Sequence, residues 1–286
     1  MCRFLVYKGS EIIMADLLTR SEHSLIMQSY KAEERKEPLN GDGFGVGWYD
    51  YEVDNIPCVF TSVYPAWNNR NLRRLADKIR STCLFAHVRA ASVDSPVTDL
   101  NCHPFQYEQF LWMHNGQLPD FKEIKRQLRE SLRDEVYDFI QGNTDSEHAF
   151  ALFLNILWPH MDDYSVLTLK NAMISMIEQL NKWYDEAGIS ETSHYNFAVT
   201  DGQSLVVTRY AFGSNEKPQS LYYLLGKKFE SHEGEYRMVP ADRHPQAVIV
   251  ASEPLTRLRE QWTSVPENHL IMVTPELHVK VAPIRQ

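Results

Sequence analysis

Met1-Cys2-Arg3-Phe4-Leu5-Val6-Tyr7 places a cysteine directly before an apolar run with strand character. The small side chain at position 2 suits removal of Met1. Cys2 would then carry a thiol and a free α-amine on one residue. An unperturbed α-amine has a pKa of about 7.7–8.0, so near neutral pH it can serve as the base a thiol nucleophile needs. Taken alone, a cysteine at this position reads more readily as an ordinary small buried residue. The rest of the chain decides between the two.

The 286 residues are 43% hydrophobic and 23% charged, as in an ordinary globular protein. The net charge of −9 argues against general binding to nucleic acid or an anionic membrane. Arg70-Asn71-Leu72-Arg73-Arg74 is too short a basic cluster to change that and reads as a solvated helix face. The cysteines, Cys2, Cys58, Cys83 and Cys102, form no CxxC pair and no disulfide framework. Cys58 and Cys83 sit in apolar runs and are expected in the core. With no signal peptide and no membrane-length apolar run, the expected compartment is the cytoplasm.

Outward from the N-terminus, residues 3–7 and 11–14 read as strands. Ser21 is the expected cap of a helix reaching Lys31, with Leu25, Ile26 and Tyr30 on one face. Residues 31–38 read as an exposed charged loop. Asn40 to Tyr49 carries four glycines within seven residues. It lacks the Lys-Ser/Thr of a phosphate loop, so it reads as a turn feeding a strand packed close to another backbone. Residues 57–64 are the expected partner strand. Asn69–Arg80 suits a helix with Leu72, Leu75, Ala76 and Ile79 inward. Strands follow at 82–91 and 109–114, the latter ending in an Asn115-Gly116 turn signal. Helical patterns occupy Pro119–Ile140, Asp145–Leu157 and 164–187. The last third is β-rich, with strands at 195–200, 204–210, 221–225, 246–251, 269–274 and 278–282. This order lacks βαβ alternation, which predicts an α+β fold of antiparallel sheets covered by helices.

Four further segments set polar residues where apolar elements end. Arg89 closes an apolar strand, where a guanidinium needs a carboxylate from the protein or from a ligand. His103 lies in Asn101-Cys102-His103-Pro104. Asn115 and Gly116 offer an amide and a backbone N–H, the parts of an oxyanion hole. Asp145 opens a helix, either as a capping residue or as a partner for an ammonium group.

The Cys2 start, His87-x-Arg89, His114-Asn115-Gly116 and Thr144-Asp145-Ser146-Glu147 together resemble the class II glutamine amidotransferase domains of the N-terminal-nucleophile (Ntn) hydrolases. The motifs span roughly residues 2–260 in order. Asn40–Trp48 and Ala251-Ser252-Glu253-Pro254-Leu255 are most similar to a stand-alone branch that includes γ-glutamyl hydrolases. The resemblance implies one domain over 2–286, a four-layer αββα sandwich of two mainly antiparallel sheets covered by helices. It implies Cys2 as nucleophile with its α-amine as base, and Asn115 and Gly116 at the oxyanion. Arg89 would hold the α-carboxylate and Asp145 the α-amino group of glutamine or another γ-glutamyl small molecule, with His103 as a further substrate contact. The chemistry needs neither metal nor organic cofactor. Synthase-linked members follow the arginine with Trp, then Thr and His. This chain has Ala90-Ala91-Ser92 and no room for a synthase domain, so ammonia would pass to a separate synthase partner or be released by plain hydrolysis. Two other readings stand beside this one: an Ntn acylase acting on a non-glutamyl amide, and a catalytically idle binding subunit.

Overall fold

The computed structural model describes residues 2–34, 39–91, 96–213 and 216–284. The expectations placed on Met1, on residues 35–38 of the charged loop and on Ser92 lie outside them.

The first strand, β1, runs unbroken over Arg3–Ile13, where two short strands were expected. A π-helical turn at Asp16–Arg20 and helix α1, Leu25–Tyr30, follow it. The cap of α1 is Ser24, whose hydroxyl accepts from the Met27 N–H, and not Ser21. Next come β2 (Phe44–Trp48), β3 (Cys58–Ser62), α2 (Arg70–Ala76) and β4 (Arg80–Val88). Then β5 (Phe105–Tyr107) leads into β6 (Phe110–Gln117). The 119–140 helical pattern divides into α3 (Phe121–Glu130) and α4 (Asp134–Phe139). Helices α5 (Asp145–Leu157) and α6 (Val166–Glu186) match their expected spans closely. The β-rich third holds β7 (Ser193–Thr200), β8 (Leu205–Arg209), β9 (Ala211–Phe212), β10 (Tyr222–Gly226), β11 (Lys228–His232) and β12 (Glu235–Val239). It closes with β13 (Ala247–Ala251), β14 (Thr263–Ser264), β15 (His269–Val273) and β16 (Val279–Pro283).

Two large sheets result. One has the order β14-β10-β13-β1-β4-β2-β3 and the other β16-β15-β8-β7-β6-β5, with β9 on β7. Every strand pair described is antiparallel. Alternation along each strand sorts side chains to opposite faces. Phe4 and Val6 of β1 meet Leu111 and Met113 of β6 and Ile271 and Val273 of β15 between the sheets. Leu5 and Tyr7 point the other way, into a layer with α1, α2 and the β11–β12 hairpin. Trp112 of β6 packs outward against Phe150 and Phe153 of α5, within the layer formed by α3 to α6. The architecture is therefore the αββα sandwich. Among the described residues, no helix is long and apolar enough to cross a membrane.

Local details depart from the sequence expectations for physical reasons. Cys58 is exposed, because β3 is an edge strand. Leu75 and Tyr30 are also exposed, since α1 and α2 are short and bury only a narrow stripe. Asn115-Gly116 forms no turn: both residues lie within β6, paired with Asn196 and Tyr195 of β7. Pairing with a neighbouring strand overrides the local preference of the dipeptide.

The glycine run does feed a strand in close contact with another backbone. Gly43 has φ +114°, a conformation that favours glycine, and a Cβ at Gly45 would lie 2.2 Å from the His103 carbonyl oxygen. Propensity alone predicts that Gly45→Ala stabilises a strand by about 0.5–1 kcal/mol. The packing predicts the opposite sign, a loss of about 1–3 kcal/mol. Urea unfolding of the variant distinguishes the two, and a raised midpoint would refute the close approach.

Candidate functional site

Register brings the site together. Arg3 pairs with Val88 and Leu5 with Ala251, so the start of β1 meets the ends of β4 and β13. Cys2, one residue before β1, lies beside Ala90, two residues after β4. Its Sγ accepts from the Ala90 N–H at 3.4 Å and lies 3.6 Å from the Ala90 carbonyl oxygen. The thiol is buried but reaches a cavity of about 100 Å³. The same cavity is lined by Arg89, Ala90, Ala91, His103, His114, Gly116, Gln117, Thr144, Asp145 and Ser146.

Five of the six residues singled out in the sequence thus share one small, mostly polar cavity: Cys2, Arg89, His103, Gly116 and Asp145. The guanidinium of Arg89 donates from both terminal nitrogens to the Pro96 carbonyl at 3.2 Å, which fixes it at the cavity wall. Asp145 is the first residue of α5, while Thr144 supplies the cap by accepting from the Glu147 N–H. The carboxylate of Asp145 accepts from the Leu118 N–H at 2.8 Å and the Ser146 N–H at 2.7 Å. A carboxylate has about four lone-pair sites, so it keeps acceptor capacity for a ligand.

Asn115, the sixth, does not line the cavity. It follows the parity of Leu111 and Met113 and faces the layer between the sheets. Its Nδ2 lies 3.2 Å from Ser252 Oγ, and its buried Oδ1 has no partner among the described residues. Gly116 has no room for a side chain, since a Cβ would lie 1.9 Å from the His194 carbonyl oxygen and 2.4 Å from His114 Nε2.

Three buried histidines cluster here: His103 and His114 line the cavity, and His87 lies against His103. Burial pushes the pKa of His87 down to about 3, that of His103 well below its ordinary value, and that of His114 down as well. His114 Nε2 donates to the His194 carbonyl at 2.8 Å, and its Nδ1 lies 2.9 Å from Ser146 Oγ, which donates to the Asp145 carboxylate at 3.1 Å. His87 Nε2 donates across the sheets to the His114 carbonyl at 3.2 Å. The His103 ring stacks 4.2 Å from that of His87, and neither of its nitrogens has a partner among the described residues. On α5 itself, burial also lowers the pKa of His148 to about 4; its Nδ1 donates to the Thr144 carbonyl and its Nε2 accepts from Arg129.

A second buried group escaped the sequence reading. Arg3, fully buried, donates from Nε to Glu253 at 2.6 Å and from Nη1 to the Cys2 carbonyl at 2.9 Å. Glu253 also binds His23 Nε2 at 2.9 Å and the backbone N–H groups of Glu33 and Glu34. Burial raises its pKa, but His23, the Arg3 charge and the Glu33 amide outweigh that and hold it at about 2. The signal was present: a guanidinium inside an apolar strand needs a partner, a rule applied to Arg89 and equally true of Arg3.

Other pockets are separate. One of about 660 Å³, lined by Asp185, Glu191 and Tyr210 among others, shares no residue with the Cys2 cavity. Among the described residues, no group of three or more His, Cys, Asp or Glu could hold a metal ion.

With this geometry in hand, the chain was compared with known proteins. A family model described as class II glutamine amidotransferases matches residues 14–282. The chain is 43% identical over 292 residues to the "Probable glutamine amidotransferase DUG3" of Saccharomyces cerevisiae, covering 96% of this chain and 82% of that one. It is 33% identical to the "Gamma-glutamyl-hercynylcysteine sulfoxide hydrolase" of Mycolicibacterium smegmatis, covering 99% and 100%. Among solved structures, a glutamine aminotransferase class-II domain protein from Silicibacter pomeroyi superposes with TM-score 0.66 at 25% identity, covering 98% of each chain. The glutamine phosphoribosylpyrophosphate amidotransferase of B. subtilis shares the fold at TM-score 0.58 and 15% identity, over 99% of this chain and 49% of that one.

The neutral histidines set an acid limit on stability. Unfolded, each titrates near 6.5, while His87 and His148 titrate at about 3 and about 4 in the folded protein. Between those values the unfolded chain binds more protons, so stability is full above pH 6.5 and falls as pH drops through this window. Urea midpoints should therefore be lower at pH 5 than at pH 7.5. A His148→Gln variant should flatten the slope by about 1.4 kcal/mol per pH unit below 6. A midpoint independent of pH between 7.5 and 4.5 would show that these rings are not held neutral.

Proposed function

The chain belongs to the class II glutamine amidotransferases, and from that membership we propose that it hydrolyses the γ-amide of glutamine or a γ-glutamyl compound at Cys2, within one domain over residues 2–286. The observation that carries this reading is one small cavity shared by a thiol, a guanidinium and a carboxylate. A zwitterionic glutamyl head needs one partner of each sign, and Arg89 and Asp145 supply them.

After Met1 is removed, the α-amine of Cys2 takes the thiol proton and Sγ attacks the γ-carbonyl carbon. The carbonyl oxygen becomes an oxyanion, stabilised by the N–H of Gly116 at the cavity wall, with the Asn115 amide turning from the layer between the sheets to join it as the second donor. With the Asn115 amide turned over, the Ser252 hydroxyl donates to Oδ1 and Nδ2 is left as the donor. Collapse of the intermediate breaks the C–N bond, and the α-ammonium gives its proton to the departing ammonia or amine. Water, deprotonated by the same amine, then attacks the thioester carbonyl. The C–S bond breaks, releasing a γ-carboxylate and restoring the thiol. His103, neutral and with both nitrogens available, is the further contact to the substrate. The family includes enzymes acting on γ-glutamyl amides, and the names of two relatives, a glutamine amidotransferase and a γ-glutamyl hydrolase, support both substrate classes. Transfer of the ammonia to a separate synthase partner, and residence in the cytoplasm, are extensions of the same proposal.

The cavity's size weighs against an acylase. A pocket of about 100 Å³ with mostly polar walls suits an amino-acid head and not a large apolar acyl group.

Intact mass before and after incubation with a diazo-ketone analogue of glutamine tests the proposal. The expected result is loss of Met1 and one adduct on Cys2, blocked by excess glutamine. A processed chain that takes no adduct would overturn the glutamyl reading in favour of a binding subunit or another acylase. Cys2→Ala should lower turnover by a factor on the order of 10³ or more. Arg89→Ala should raise the KM for glutamine about tenfold to hundredfold, matching the roughly 1.5–3 kcal/mol of hydrogen bonds to a charged group. An unchanged KM would point to a non-glutamyl amide.

A further inference from the structure

The nucleophile is anchored from a direction that the hydrolytic chemistry does not require. Arg3 is fully buried, and its side chain turns back along the strand to the preceding residue. Nη1 donates to the Cys2 carbonyl at 2.9 Å while Nε donates to Glu253 at 2.6 Å. Glu253 is itself held by His23 and by two backbone N–H groups, at Glu33 and Glu34. The adjacent Ser252 reaches the other half of the site. Its Oγ accepts from the Phe4 N–H at 3.1 Å and lies 3.2 Å from Asn115 Nδ2, and its own N–H donates to the Phe4 carbonyl at 3.0 Å.

We infer that the Ser252-Glu253 corner, acting through Arg3, is a positioning device that holds the Cys2 main chain and the Asn115 amide in one fixed relation. The inference rests on the proposed hydrolysis at Cys2, and it deepens that reading by adding Arg3, Ser252 and Glu253 to the residues on which turnover depends. None of the three lines the substrate cavity.

Two arguments carry it. The first is cost. A fully buried guanidinium and carboxylate are expensive to desolvate, and a pair of apolar side chains would stabilise a core as well or better. What the ion pair adds is direction: a planar guanidinium can hold a carboxylate on one side and a carbonyl oxygen on the other at fixed angles. The second is position. Cys2 precedes the first residue of β1, so the ladder with β4 does not by itself hold it. With Met1 removed, Cys2 would be a chain end. Chain ends fray unless tied down, and the Arg3 bond to its carbonyl supplies a tie.

The test uses the full chain after removal of Met1, with glutamine and γ-glutamyl-p-nitroanilide as probes. Arg3→Lys keeps the charge opposite Glu253 but cannot bridge both oxygens in the guanidinium geometry. The expected result is a kcat lower by about tenfold to hundredfold, with KM held within about threefold because the Arg89 and Asp145 contacts remain. Ser252→Ala should lower kcat in the same sense. A second measurement needs no turnover: peptide-resolved alkylation by iodoacetamide, with exposed Cys58 as internal reference. Release of the anchor should speed alkylation of Cys2 relative to Cys58. Should Arg3→Lys fail to fold, the Arg3→Met/Glu253→Met pair removes both charges together and carries the same comparison. Unchanged kcat and unchanged Cys2 alkylation would overturn the inference, as would loss of the fold in both variants, which would make the pair a structural element only. A wild-type chain inactive on both probes would instead count against the proposed function, and the alkylation comparison would still decide the anchor.

Discussion

The register of β1 is the constraint on which the site depends. Arg3 faces Val88 on one side and Leu5 faces Ala251 on the other. Three strands therefore end, or begin, at the same edge of one sheet. The residues just beyond them, Cys2, Arg89-Ala90 and Ser252-Glu253, have nowhere to go but together. A slip of one residue would send Phe4 and Val6 out of the layer between the sheets and Leu5 and Tyr7 into it. The apolar pattern of β1 thus protects the placement of Cys2, although none of those apolar residues touches the cavity.

The second sheet brings the remaining groups to the same edge. Along β6, alternation divides the labour: Asn115 faces the first sheet and meets Ser252, whereas His114 faces α5 and meets Ser146. Thr144 caps α5, which sets Asp145 at the head of that helix with its carboxylate on the Leu118 and Ser146 amides. The site is a junction between layers and belongs to no single element. That explains its low tolerance for added volume, with Gly45 under the His103 carbonyl and Gly116 under the His194 carbonyl.

Burial treats the ionisable groups in two opposite ways. Among the described residues, His87, His103 and His114 have no carboxylate in hydrogen-bond contact, so desolvation wins and lowers the pKa of each. Glu253 has Arg3, His23 and two backbone N–H groups on its carboxylate, so it stays ionised despite burial. A neutral lining beside a charged anchor lets Arg89 and Asp145 provide the charges that face the cavity.

The sequence by itself determined the order of elements, the antiparallel α+β class and the polar residues at element ends, because apolar periodicity and end chemistry are local properties. It also carried the combination of Cys2, Arg89, Asn115-Gly116 and Asp145. Tertiary structure decided the rest. Asn115-Gly116 reads locally as a turn, yet the ladder with β7 draws it into a strand. Ser21 is the cap expected from the local sequence, yet packing starts α1 at Leu25, with Ser24 as its cap. Cys58 and Cys83 lie in similar apolar runs, but one falls on an edge strand and the other on a central one. Arg3 and Glu253 stand 250 positions apart, and only the pairing of β1 with β13 makes them neighbours. A long-range ion pair leaves no periodic trace in a single chain, because its partner is chosen by strand register and not by spacing.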